Sequence, residues 1–202
     1  MKNFKMLIIM LVVATTSAFA QKCDVAGAKA PDFKLKNVDG KMVSLEDFKD
    51  AKGFIVIFTC NHCPFSKAYE DRIIDLHNKY ASKGYPVIAI NPNDATLEPE
   101  DSFENMQKRA AEKKFPFVYL HDETQLTAKA YGATRTPQVY ILTKQNKDLL
   151  VDYIGAIDDN SNDAGNVKVN FVEKAMDEIL NNKPVTTTLT KAIGCTIKYK
   201  KD

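Results

Sequence analysis

Gly53-Phe54-Ile55-Val56-Ile57-Phe58-Thr59-Cys60-Asn61-His62-Cys63-Pro64 carries the decisive pattern of this sequence. The run from Phe54 to Phe58 is short, uninterrupted and rich in β-branched residues, which predicts a strand buried on both faces. It stops at a Cys-x-x-Cys pair. Beyond that pair Phe65, Tyr69, Ile73, Leu76 and Tyr80 recur at spacings of three and four, so a helix with one apolar stripe follows directly. Gly84 ends it. The two cysteines therefore fall at a strand-to-helix junction, beyond the carboxyl end of a strand, where open α/β sheets place their sites.

Working outward, Phe33 to Lys36 and Met42 to Leu45 flank Asp39-Gly40 and predict a small hairpin. Tyr85 to Ile90 is a second buried strand, and Asn91-Pro92-Asn93-Asp94 a turn-rich loop. Glu100 to Lys114 reads as a helix whose acidic start and basic end suit the helix dipole. A strand over Phe117–Leu120, a helix over Thr124–Tyr131, strands over Pro137–Thr143 and Leu149–Ile154, and a helix over Val167–Leu180 complete the pattern. This alternation predicts an α/β domain with helices on both faces of a central sheet. Asp158 to Asp163 is only superficially a calcium loop, because Gly165 comes one place late and Asn170 stands where Glu is needed. It reads as a solvated loop.

Residues 1–20 have a basic start at Lys2 and Lys5, an apolar run from Met6 to Ala14, and the small-residue ending Ala18-Phe19-Ala20. That is the form of a cleaved secretory signal, and the run is short for a membrane span. The expectation is an exported protein, periplasmic or extracellular, with no membrane association after cleavage. The whole chain has 28 Lys and Arg against 26 Asp and Glu, and loss of Lys2 and Lys5 leaves 26 of each. A neutral domain lacks the single-sign field of a nucleic-acid binder. About 180 residues also bury a sufficient core without a disulfide scaffold, so Cys23, Cys60, Cys63 and Cys195 call for a local explanation.

A cysteine at a helix N-terminus is stabilised as thiolate, the attacking species in disulfide exchange. Cys60 is accordingly the expected nucleophile and Cys63 the resolving thiol of a small disulfide ring. Asn61 shapes the loop, and a protonated His62 favours the reduced form, making the disulfide more oxidising. No metal or other cofactor is called for. A zinc site drawing on His62, His77 or His121 lacks a second Cys-x-x-Cys and a closely spaced His pair. His77 and Tyr80 read as packing groups, and His121-Asp122 as the cap of the helix that follows.

The segment from Phe58 to Lys67, followed far downstream by Arg135-Thr136-Pro137-Gln138-Val139-Tyr140, resembles the thioredoxin fold. More closely it resembles exported thioredoxin-like redoxins of the group containing alkyl hydroperoxide reductases and thiol-specific antioxidant proteins. The resemblance spans residues 28–181, leaving 182–202 as a tail, and implies a mixed sheet flanked by helices, with an inserted strand-helix unit and an N-terminal hairpin. It also implies a cis Thr136-Pro137 peptide beside the cysteines that binds substrate, and a protein or small-thiol disulfide substrate with a reductase or thiol donor.

Several residues depart from that pattern. Thr59 stands where thioredoxins usually place Trp, and the strand before the motif has no acidic residue to move protons, so either another base acts or resolution is slow. The peroxiredoxin pattern Pro-x-x-x-Thr-x-x-Cys meets Val56 and Cys60 when it ends on Cys63, and Gly53 and Ile57 when it ends on Cys60. Thiol-dependent peroxide reduction is thus the second reading, and a non-catalytic metal- or protein-binding module the third. Arg135 reads as an ordinary solvated arginine sooner than a thiolate partner. Cys195, in Gly194-Cys195-Thr196-Ile197-Lys198, is first expected to clip to Cys23, next to act as a third redox cysteine, or else to stay a free thiol.

Overall fold

The computed structural model describes residues 23–201; the signal expected over residues 1–20 lies outside them. Thirteen regular elements follow in chain order: β1 (Leu35–Asn37), β2 (Met42–Val43), β3 (Gly53–Phe58), α1 (Pro64–Tyr80), β4 (Val87–Asn91), α2 (Phe103–Lys113), β5 (Val118–His121), α3 (Leu126–Tyr131), β6 (Arg135–Thr136), β7 (Gln138–Gln145), β8 (Asp148–Gly155), α4 (Phe171–Leu180) and β9 (Cys195–Thr196). Seven strands form one mixed sheet in the order β2-β1-β5-β4-β3-β7-β8, and β6 pairs with β9 in a small second sheet.

β3 lies inside the sheet, parallel to β4 and antiparallel to β7, and all six of its residues are buried. Alternation along an extended chain divides them between two cores. Phe54, Val56 and Phe58 join Tyr131, Tyr140 and Leu120 on one face, and Ile55 and Ile57 join Tyr69, Ile73 and Leu76 of α1 on the other. Burial on both faces explains why the run is apolar without interruption.

Three helix starts differ from expectation, α3 beginning at Leu126 and not at Thr124. A single 3-10 turn, Pro99–Asp101, precedes α2, which begins at Phe103 with Ser102 as N-cap accepting from the Asn105 amide. α4 begins at Phe171 and not at Val167. The Asp158–Asp163 loop is anchored instead of freely solvated. Asp158 is 1% exposed and accepts hydrogen bonds from Tyr69 Oη at 2.7 Å and Arg72 at 2.6 Å. A carboxylate at that depth requires such partners.

The last residues pack onto the domain. Thr188 and Thr190 exchange backbone hydrogen bonds with Ile154 of β8, and the Ile197 side chain enters the core on the Phe58 face. Two glycines make this fit. A Cβ at Gly155 would stand 2.1 Å from Thr190 Oγ1, and one at Gly194 would stand 2.1 Å from the Thr136 carbonyl oxygen.

Candidate redox site

β3 delivers Cys60 beyond its carboxyl end, and Cys63 is the N-cap residue of α1, with Pro64 opening the helix. Proline suits that position because its missing N–H would have no helical acceptor. Thr136 and Pro137, joined by a cis peptide bond, come to the same place at the end of β6. Two hydroxyls lie close to Cys60 Sγ: Thr136 Oγ1 at 3.1 Å and Ser66 Oγ, in the first turn of α1, at 3.6 Å. Cys63 Sγ lies 3.3 Å from the Thr136 carbonyl oxygen.

The disulfide present joins Cys63 to Cys195, with Cα atoms 6.0 Å apart, while Cys60 and Cys23 are free and buried. The expected Cys23–Cys195 clip is therefore replaced by a link into the site. Its cause is strand pairing: β9 lies antiparallel on β6, with Thr136 opposite Cys195 and Arg135 opposite Thr196, so Cys195 arrives beside Cys63. Cys23 is held elsewhere, its amide donating to the Ala130 carbonyl at 3.0 Å. Burial first, and then the Asp24 carboxylate, pushes the Cys23 thiol up to about 12. Such a thiol is inert in exchange at neutral pH.

Asp101 is the site residue that sequence reasoning missed. Fully buried, it accepts from the Asn61 amide at 2.6 Å, the His62 amide at 3.3 Å and Asn91 Nδ2 at 3.2 Å through Oδ1, and from Asn93 Nδ2 at 2.8 Å through Oδ2. His62 Nδ1 lies 2.5 Å from the same Oδ2. The Cys60 sulfur is the largest influence raising His62, to about 9, and Asp101 adds to it while burial opposes. His62 therefore carries its proton at neutral pH and places a positive charge beside Cys60. Glu98 Oε1, 3.9 Å from His62 Nε2, and Lys198 Nζ, 3.5 Å from Glu98, extend the array into the tail. Asn61 serves the loop as expected: its side chain donates to the Glu100 carbonyl and accepts from Tyr119 Oη.

Cys60, His62 and Asp101 are also the described residues whose metal-binding atoms gather, all within 4.8 Å. Three donors leave a tetrahedral ion one protein ligand short, and both Asp101 oxygens already accept hydrogen bonds. The arrangement fits a hydrogen-bonded ion-pair array better than a metal cage. His77, whose ring nitrogen accepts from the Val87 amide, and His121, which packs on Phe103, are not part of it. Asp122 caps α3 as expected, accepting from the Thr127 and Ala128 amides. Arg135 is exposed, and it holds the tail through the Gly194 carbonyl and Thr196 Oγ1, both at 3.2 Å.

A Cys-x-x-Cys at a strand-to-helix junction, faced by a cis Thr-Pro, on a mixed sheet with helices on both faces, defines a thioredoxin-like redoxin. The AhpC/TSA family profile matches residues 26–157, and the chain belongs to that family. A crystal structure of an uncharacterized conserved protein from Geobacillus kaustophilus is 44% identical, covering 88% of this chain and 93% of that one with a TM-score of 0.80. Thiol-disulfide oxidoreductase ResA of Bacillus thuringiensis is 27% identical over 60% of this chain and 65% of its own length. Peroxiredoxin Q of Oryza sativa subsp. japonica is 28% identical over 63% of this chain and 57% of its own length. The chain thus spans 65% of the length of one of these curated relatives and 57% of the other.

Proposed function

We propose that this protein is a thiol-disulfide oxidoreductase, acting outside the cytosol, that exchanges disulfides with a protein or small-thiol substrate through Cys60 and Cys63 and is recharged by a separate thiol donor or reductase. The observation that carries the reading is a free Cys60 sulfur, beside an imidazolium and two hydroxyls, in the same site as a disulfide to Cys63. Attack by Cys60 on Cys63 Sγ forms Cys60–Cys63, breaks Cys63–Cys195 and releases Cys195, the proton of the Cys60 thiol passing to the Cys195 sulfur. No net oxidation occurs in that step, so the third cysteine stores a disulfide that the first pair can use. His62 supplies a positive charge beside Cys60, Asp101 fixes the ring, and Asn61 shapes the loop. Thr136 and Pro137, both buried here, are the residues assigned to substrate contact. Residues 1–20 supply the export signal in this reading, and an oxidising compartment suits the stored disulfide.

Peroxide reduction is the second reading, favoured by one observation: Cys63–Cys195 with Cys60 free is the linkage left if peroxide oxidises Cys63 to a sulfenic acid and Cys195 condenses with it, releasing water. One experiment separates the two. Fully reduced protein is mixed with limiting glutathione disulfide or hydrogen peroxide, quenched by alkylation and peptide-mapped. Exchange predicts fast oxidation by the disulfide, with Cys60–Cys63 forming first. Oxidation by peroxide far faster than that of an ordinary thiolate, with Cys63–Cys195 appearing directly, would replace it.

A further inference from the structure

The tail shows how a cysteine-bearing strand sits in this site. Cys195 stands opposite Thr136 in an antiparallel pair, its sulfur is bonded to Cys63, and the residue before it lies flat on the Thr136-Pro137 peptide. At Gly194 an added Cβ would stand 2.1 Å from Thr136 O, 2.6 Å from Thr136 C and 3.0 Å from Pro137 N. All three are backbone atoms that no side-chain rotation can move aside. The strand is further gripped by Arg135 at the Gly194 carbonyl, by the Thr134 carbonyl accepting from the Ile197 amide at 3.1 Å, and by the Lys198 carbonyl accepting from the Asp94 amide at 3.0 Å. Most of these contacts are to backbone and would hold another extended chain equally well. The contact at Gly194 would not.

We propose that Gly194-Cys195 is a resident copy of the substrate: the external substrate is an extended polypeptide whose reactive cysteine directly follows glycine, and it binds by displacing the tail strand from β6. This deepens the exchange reading and rests on it. The incoming cysteine bonds to Cys63, because that sulfur is the one a strand opposite Thr136 reaches. At this subsite the roles of the pair are the reverse of those expected from the sequence, because the strand register brings the incoming sulfur to Cys63: with reduced enzyme, Cys63 attacks the substrate disulfide, forms the Cys63–substrate bond and expels the other substrate sulfur, which takes the proton that Cys63 gives up. Cys60 then attacks Cys63 Sγ, forms Cys60–Cys63 and frees the substrate cysteine as a second thiol. The substrate disulfide is reduced to two thiols while the Cys60, Cys63 pair is oxidised. Selection arises from the glycine, since a β-carbon at that place drives the strand off Thr136.

The test uses the full chain carrying Cys60→Ser and Cys195→Ser, so that Cys63 is the reactive thiol left and adducts persist. Two decapeptides copy residues 191–200, one with glycine and one with valine at the position of Gly194, each activated at its cysteine as a mixed disulfide with 2-nitro-5-thiobenzoate. Release of the coloured thiol is timed and divided by the rate of the same peptide with free glutathione. The glycine peptide is expected to react at least ten-fold faster than the valine peptide, with its adduct on Cys63, while a Cys63→Ser, Cys195→Ser chain shows no such preference at Cys60. Equal normalised rates, or the same preference at Cys60, would overturn the proposal. Should the double variants misfold, the oxidised wild-type chain is offered the reduced peptides instead, and only the glycine peptide is expected to take over Cys63. If the wild-type chain exchanges with glutathione disulfide while the peptides are not discriminated, this proposal alone falls. If no disulfide reacts, the exchange reading falls with it.

Discussion

Gly194→Ala tests the tail seat by the smallest change available. The added methyl carbon would overlap the Thr136 carbonyl oxygen, which at 2.1 Å is more than 1 Å inside ordinary contact, so β9 must lift from β6. Inserting a methyl group into a tightly packed place costs about 1–3 kcal/mol. Alanine also restricts the undocked tail, an opposing effect of about 0.4–1 kcal/mol. A net loss of about 1.5 kcal/mol corresponds to a fall of roughly ten-fold in the effective concentration of Cys195 at Cys63, at 1.36 kcal/mol per factor of ten. The assay is equilibration in graded glutathione buffers, followed by alkylation and quantitation of the 63–195 linkage by mass spectrometry. Midpoints within a factor of two of wild type would refute the steric argument, and Gly194→Val, which adds bulk at the same point, should shift further than alanine.

His62 titrates near 9 because of Cys60 first and Asp101 next, so Cys60→Ala lowers that titration in an NMR pH series, and an unchanged value would separate the two groups. A raised histidine pKa stabilises the fold fully below the unfolded value of about 6.5 and loses that contribution as pH rises through the folded value. Urea midpoints should therefore decline between pH 6.5 and 9 more in wild type than in His62→Leu. Asp101→Asn leaves the Asn61, His62, Asn91 and Asn93 donors facing a weaker acceptor, and is expected to slow thiol exchange ten-fold or more, with a shifted pH profile that a purely structural loss would not give. Cys23, pushed up to about 12, should remain unalkylated in native protein at pH 8 while it reacts in urea.

What could be read in the sequence follows how locally each feature is encoded. β3 and α1 are written in consecutive residues, a fully buried run and a three-and-four stripe, and both stand where the pattern put them. The β6–β9 pair is two residues in each strand and joins segments about 60 residues apart, so no periodicity announces it. Cys195 could therefore be flagged as a redox residue but not paired. Asp101 was hidden for a different reason. In Pro99-Glu100-Asp101-Ser102 its charge reads as the acidic start of a helix, whereas Ser102 is the cap and the carboxylate turns towards Cys60-Asn61-His62-Cys63. The missing strand carboxylate left open whether another group moves the proton or resolution is slow. The position of Asp101 required the fold.

The central claim is that Cys60 opens the Cys63–Cys195 disulfide. Purified oxidised protein is treated with limiting dithiothreitol, quenched with an alkylating reagent over a time course and mapped, beside the Cys60→Ser variant. Cys60–Cys63 is expected to appear transiently in wild type as Cys195 becomes alkylated, with Cys195 released at least ten-fold more slowly in the variant. Release at the same rate in both proteins, with Cys60 a free thiol throughout, would contradict it.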